Sequence, residues 1–187
     1  MMSTRIPVER IGALIGKNGE VKAEVQRRTG VIIKIESKSG DITLDDRKAQ
    51  DPTMVLKVMD FVSAVGNGFS ADGAYLLLGE DYFLEVFDIR TYVGKDPNHI
   101  TRMRARVIGR NGRTRQIIEE LAEVQMSIQG NMVAVIGDSE GMESARIALD
   151  MLLNGSEHRS VYSFLEKKRR EMKIAALGTA VEYREDI

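Results

Sequence analysis

The sequence predicts an α+β fold in which one βααββα module is used twice in tandem, followed by a C-terminal helix. Three observations predict it. The tetrapeptide Gly16-Lys17-Asn18-Gly19 recurs 93 residues later as Gly109-Arg110-Asn111-Gly112. Each copy follows an apolar pair, Leu14-Ile15 or Val107-Ile108, and precedes a segment with helical patterning. The same offset relates Ile33 to Met126 and Ile35 to Ile128. A register kept across loop, helix and strand points to a repeated module and not to a chance tetrapeptide.

In the first module, Thr4-Arg5-Ile6 reads as a short strand. Pro7 opens a helix through Leu14, at a position where its missing N–H costs nothing. After the loop, residues 20–29 read as helix, with Val21 and Val25 one turn apart. Glu20 in the first turn and Arg27-Arg28 in the last suit the helix dipole, and Gly30 ends the helix. The β-branched run 31–36 and residues 41–44 read as two strands around a turn at 37–40. Asp51-Pro52-Thr53 starts a helix carrying Val55, Val58, Met59 and Val62, which ends at Gly66-Asn67-Gly68.

The second module repeats the order. Residues 82–89 form the strand, and Asp96-Pro97 opens a helix to about Val107. Residues 113–123 form the next helix, with Ile117, Ile118 and Leu121 on one side. Residues 125–129 and 132–136 are strands around a tight turn at Gly130-Asn131, and Asp138 or Ser139 caps a helix through Leu153. The expected division is a first domain at 1–68, a connecting segment with a short helix (74–78) at 69–81, a second domain at 82–155, and a C-terminal helix and tail at 156–187. In that last part residues 157–173 read as helix, with Val161, Phe164, Leu165 and Met172 apolar and Lys167-Lys168-Arg169-Arg170 basic. Residues 178–187 show no clear pattern and are expected to be mobile.

Composition bounds the function. With 187 residues and 43% hydrophobic content, the chain can build a real core, but each module is small enough to need the other's support. No apolar run approaches 18 residues, and the N-terminus lacks the apolar stretch of a secretory signal. The absence of cysteine excludes disulfides and thiolate metal sites and fits a cytoplasmic protein. The net charge of −1 hides an uneven distribution. Residues 102–115 carry six arginines (Arg102, Arg104, Arg106, Arg110, Arg113 and Arg115) and no acid, whereas residues 58–89 carry six acids and no base.

The two loops carry the chemistry. A backbone N–H reaches a phosphate oxygen only where no side chain stands between, which is what Gly16, Gly19, Gly109 and Gly112 allow. The helix that follows each loop presents unpaired N–H groups and its positive dipole end to the same anion. Lys17 or Arg110 adds a full charge, and a guanidinium can fork onto phosphate. Asn18 and Asn111 tolerate turn conformations and can bond sugar or phosphate, and Arg106 and Arg113 flank the second loop. Such a device grips backbone without naming a base. Base contact is expected from a groove floored by Ile11, Leu14, Ile33 and Ile35, and by Val107, Ile108, Met126 and Ile128. No Walker pattern is present, because no Gly-Lys-Ser/Thr follows at the required spacing.

A Gly-x-x-Gly loop joining two helices in a βααββα order resembles the type I KH domain, whose loop clamps four backbone nucleotides of a single strand. The tandem pair, the arginine run and the segment from Ser160 to Glu171 together resemble archaeal relatives of the Partner-of-NOB (Dim-type) small-subunit assembly factors, over roughly residues 3–173. The resemblance implies single-stranded RNA as partner, specifically small-subunit rRNA or its precursor near the 3′ end, and a partnership with the endonuclease that matures that end. Eukaryotic members have a diverged first loop, whereas this chain keeps both.

Other functions have weaker support. There is no Cys nucleophile, histidine pair or metal-ligand cluster, and no cofactor is implied, so the expectation is a protein that is not an enzyme. A nuclease would have to use acids of the 72–88 stretch, which are remote in sequence from the basic loops. One competitor is a general single-stranded RNA-binding KH protein acting on mRNA or in a degradation complex; another is a protein-interaction scaffold. His99 and His158 are isolated, the ten methionines read as core filler, and Arg102 or Arg106 is a candidate ion-pair partner for Glu119, Glu120 or an acid of the connecting segment.

Overall fold

The computed structural model describes residues 1–49 and 51–185, with the backbone alone for 179–185. By contacts the chain resolves into two compact units, residues 1–88 with 125–139 and residues 89–124 with 140–187.

The first unit contains both sheets. Strand β1 (Met2–Arg5) leads into a 3-10 turn at Val8–Arg10 and helix α1 (Ile11–Ile15), so the expected helix from Pro7 is split. The first glycine loop follows, then α2 (Glu20–Thr29), β2 (Ile32–Glu36), β3 (Asp41–Asp45) and α3 (Met54–Gly66). Gly30 adopts φ +71° and returns its N–H to Gln26, closing α2 as expected. The sheet is antiparallel with order β1-β3-β2. Ile33 pairs with Leu44 and Ile35 with Ile42, which aligns one apolar face toward the helices. Phe61, Leu14, Val25, Ile42 and Val58 are fully buried in the resulting core. Arg10 anchors the end of α3, donating to the carbonyls of Val65 (2.8 Å) and Phe69 (2.7 Å), where a helix leaves orphan acceptors. Asp45 is buried because Arg47 forks onto it at 2.6 and 2.9 Å, and the same contact holds its carboxyl well below the usual carboxylate range.

The connecting segment is helical earlier than expected: α4 (Ala71–Ala74), capped by Ser70, runs into a 3-10 turn at Tyr75–Leu78. Phe69, Ala74 and Leu77 pack into the first module's core, so the connection is part of that core. The second sheet, β4 (Phe83–Asp88), β5 (Gln125–Gln129) and β6 (Met132–Gly137), has order β4-β6-β5. Its Ala134 and Ile136 join the same core, which is how two small modules share enough burial to hold each other.

The second unit is helical. A short helix that the sequence reading missed, α5 (Arg90–Val93), precedes α6 (Pro97–Ile108). Asp96 caps α6, accepting from the N–H groups of Asn98 (2.8 Å) and His99 (3.3 Å), and these bonds hold its carboxyl below the ordinary range. After the second loop come α7 (Arg113–Ala122), α8 (Ser139–Leu153) and α9 (His158–Glu185). Helix α9 packs on α7 through the fully buried Val161 and Leu165, each contributing about 1.5–3 kcal/mol of burial. It also runs twelve residues beyond the expected end at 173. Residues 174–185 are mostly good helix formers, and one glycine, Gly178, costs only about 1 kcal/mol. Of the tail in which no pattern is expected, the backbone of 178–185 is helical, and residues 186–187 lie outside the described residues.

The 93-residue offset holds without slip from the loops through α2/α7 and β2/β5. It ends at the hairpin turns, because Glu36 pairs with Asp41 across five positions and Gln129 with Met132 across three.

Candidate nucleic-acid interface

The two glycine loops have one backbone. Gly16 lies at φ 76°, ψ 174° and Gly109 at φ 75°, ψ 172°, a region open essentially to glycine. Asn18 (φ 53°, ψ 22°) and Asn111 (φ 52°, ψ 31°) are left-handed, which Asn tolerates better than most residues. Gly19 (φ 81°, ψ 11°) and Gly112 (φ 74°, ψ 11°) are left-handed too and directly precede α2 and α7.

The first and last glycines are needed for different reasons. A Cβ on Gly16 would sit 2.8 Å from the backbone N of Val21, and one on Gly109 would sit 2.6 Å from that of Thr114. A Cβ on Gly19 or Gly112 would meet nothing within 4 Å. Those two positions face open space, so glycine there serves the dihedral and leaves the helix start accessible to an incoming anion.

Of the residues singled out from sequence, Lys17, Asn18, Arg110, Asn111 and Arg113 are exposed on or beside the loops. Arg106 differs. It is half-buried, and its Nη2 donates to the Ser156 carbonyl at 2.6 Å, joining the end of α6 to the α8–α9 connection. It is thus tethered to protein, and among the described residues it pairs with neither Glu119 nor Glu120. Those two acids take Arg115 (3.3 Å) and Gln116 (2.9 Å) instead. The groove floor also needs correction: Ile11, Leu14, Ile33, Val107 and Met126 are buried, and only Ile35, Ile108 and Ile128 keep partial exposure. Isoleucine occurs in both sets, so the place on the helix or strand, and not apolar character alone, decides which side chain enters the core.

Two residues went unrecognised in the sequence. His158 and Tyr162, on the first turns of α9, stand beside the second loop. The Tyr162 hydroxyl and Thr114 Oγ1 share a hydrogen bond of 2.8 Å. His158 Nε2 lies 3.0 Å from the Arg106 carbonyl, to which it can only donate, and the two rings meet edge to face with centroids 6.1 Å apart. They line an open cavity of about 570 Å³ together with Arg102, Arg106, Arg110 and Arg113. The spacing of 158, 161, 162, 165 and 169 on one helical face was the available signal, but only its apolar members read as packing. Arg169 of the basic run is on that face and donates to the Glu120 carbonyl at 3.0 Å, so it is not a freely solvated cation.

Comparison with known proteins gives this geometry a family. Residues 83–170 match a family described as a eukaryotic type KH domain (KH-domain type I), and residues 2–50 match the KH domain. The KH domain-containing protein MJ0443 of Methanocaldococcus jannaschii is 41% identical over 172 residues, 91% of this chain and 75% of its own length. A solved structure of Dim2p from Pyrococcus horikoshii is 40% identical with a TM-score of 0.81, covering 89% of this chain and 98% of that one. The chain belongs to the Dim-type family of tandem KH-domain proteins. A further solved Dim-type structure, titled as an a/eIF2alpha–aDim2p–rRNA complex from P. horikoshii, is 39% identical with a TM-score of 0.83, covering 91% of this chain and 94% of that one. The pre-rRNA-processing protein pno1 of Schizosaccharomyces pombe is 28% identical over 143 residues, 75% of this chain. The chain spans 59% of that relative's length. The match over 83–170 continues well into α9.

Proposed function

We propose that the chain grips single-stranded RNA through its two GXXG loops, with the second as the principal clamp, and that its target is small-subunit rRNA during subunit assembly. The observation that carries this is the second loop itself. It combines a backbone built for phosphate approach with three arginines, Arg102, Arg110 and Arg113, that make no hydrogen bond or ion pair among the described residues. Like charges so placed repel one another until an anion arrives. Relatives named as pre-rRNA-processing proteins, and a Dim-type protein solved in a complex with rRNA, support rRNA as the target.

The finer reading is that the bound segment lies near the 3′ end of the small-subunit rRNA and that the endonuclease maturing that end is a partner, in the cytoplasm. It rests on the family resemblance. Residues 1–68 and 82–155 are the two RNA-binding modules in this reading, and no catalytic step is assigned to the chain. Among the described residues no helix is long and apolar enough to cross a membrane.

Crosslinking in cells followed by sequencing of the bound RNA tests the target. Enrichment of the small-subunit rRNA 3′ region is the expected result. Scattered mRNA fragments would instead identify a general KH protein. In vitro, neutralising four to six phosphates makes log K fall with log salt at a slope of roughly −3 to −4 for a single strand.

A further inference from the structure

We propose that the cavity between α6, the start of α7 and the first turns of α9 is a nucleotide-binding subsite that takes one residue of the strand beyond those held in the GXXG clamp. The proposal rests on the RNA-binding reading above and extends it. In KH domains the loop clamps about four nucleotides. Here Arg102 and Arg106 of α6 line a cavity that begins at Gly109 and Arg110 of the loop and extends to α9, where His158 and Tyr162 close it.

The lining has two chemistries that suit one nucleotide. Arg102 and Arg113 offer guanidinium groups that make no hydrogen bond or short ion pair among the described residues, Arg102 having only the longer-range attraction of Asp96. In the first unit arginines are matched: Arg5 to Asp41, Arg27 and Arg28 to Glu24, and Arg47 to Asp45. Unmatched cations gathered around a concavity are a phosphate site in charge and shape. Opposite them, the edge-to-face pair of His158 and Tyr162 forms an aromatic corner whose orientation is fixed by the bonds to Thr114 and the Arg106 carbonyl. Base–aromatic stacking is available to any of the four bases, so the subsite adds affinity without demanding a sequence. At about 570 Å³ the cavity is in the range of roughly 300–1,000 Å³ that holds small organic ligands. Because Thr114 and Arg113 begin α7, a nucleotide here touches the same helix start as the clamp, and the strand need not break to reach both.

The test uses the full chain and oligouridines of four, five and six nucleotides, with affinity read by fluorescence anisotropy. The expected result is a rise of about tenfold between the tetramer and the longer oligomers, the worth of one stacked base. Arg102 also contributes charge to the clamp, so the readout is the ratio of hexamer to tetramer affinity within each variant: Arg102→Gln should lower tetramer affinity somewhat and bring that ratio close to one. Tyr162→Leu should do the same in protein whose melting confirms the fold. Equal affinity for four and six nucleotides in the wild type overturns the proposal, as does a length gain that survives Arg102→Gln and Tyr162→Leu. The parent reading fails differently, through loss of tetramer binding itself or its indifference to Arg110→Asp with Asn111→Asp.

Discussion

The two glycine loops share their backbone dihedrals to within a few degrees, yet they are set in different chemistry. The first loop has one lysine, and the side chain folded under Gly16 is Val21, an apolar methyl contact. The second has Arg110 with Arg102 and Arg113 beside it, and the side chain under Gly109 is Thr114, hydrogen-bonded to Tyr162 of α9. The cations that end α2, Arg27 and Arg28, are spent on Glu24. The difference teaches that the glycine motif encodes only the shape of a phosphate grip. On the proposed reading its strength is set by the charges left unpaired around it and by the helix packed behind it, and the second loop has both.

The comparison can be broken or sharpened by substitution. The largest effect belongs to charge reversal at the loop tips. Arg110→Asp with Asn111→Asp should lower affinity for single-stranded RNA by about 100-fold while the protein stays folded, and Lys17→Asp with Asn18→Asp by no more than about tenfold. Equal losses would make the loops equivalent. Next come the glycines. Gly109→Ala forces a Cβ against the Thr114 backbone and should cost about 1–3 kcal/mol in urea unfolding, with Gly16→Ala similar. Gly112→Ala meets open space and should cost only about 1–2 kcal/mol from its left-handed dihedral, so the contrast within one loop separates sterics from conformation. Thr114→Val, which gives the second loop the apolar contact of the first, should cost about 1 kcal/mol, and adding Tyr162→Phe should recover part of it, since the hydroxyl left unpaired is then gone.

The smallest effect concerns Glu24, which Arg27 and Arg28 lower to about 2. Its folded value is below its unfolded one, so its contribution is fully present above about pH 4.5 and fades as pH falls toward 2. The stability difference between wild type and Glu24→Gln should therefore be greatest near neutrality, shrink through that window and shrink with added salt. An NMR titration should place the Glu24 midpoint near 2.

Much of this was legible in sequence because the determinants are local. Paired glycines, the Asp96-Pro97 start, the Gly30 stop and the Gly130-Asn131 turn each act over a few residues. The order of elements in both modules and the loop positions followed from them. What escaped depended on tertiary partners. Leu14 and Val107 looked like a groove floor, but the same apolar character took them into the core. Arg106 looked like an RNA contact until the Ser156 carbonyl, fifty residues away, claimed it. Tyr162 and His158 read as incidental members of a helix because nothing in their own segment reveals that the helix returns to the loop. The helix beyond residue 173 was missed for another reason: Gly178 and Thr179 interrupt its apolar spacing, and Ile174 and Leu177 are exposed, so no packed face marks it.

The most direct test of the central claim, that the second loop is the principal grip, is to photocrosslink the full chain to a substoichiometric single-stranded RNA and map the adducts by mass spectrometry. The account predicts that adducts fall first on residues 109–114, with 16–21 labelled only as RNA is raised. Adducts concentrated on 16–21, or divided evenly at the lowest RNA concentration, would contradict it.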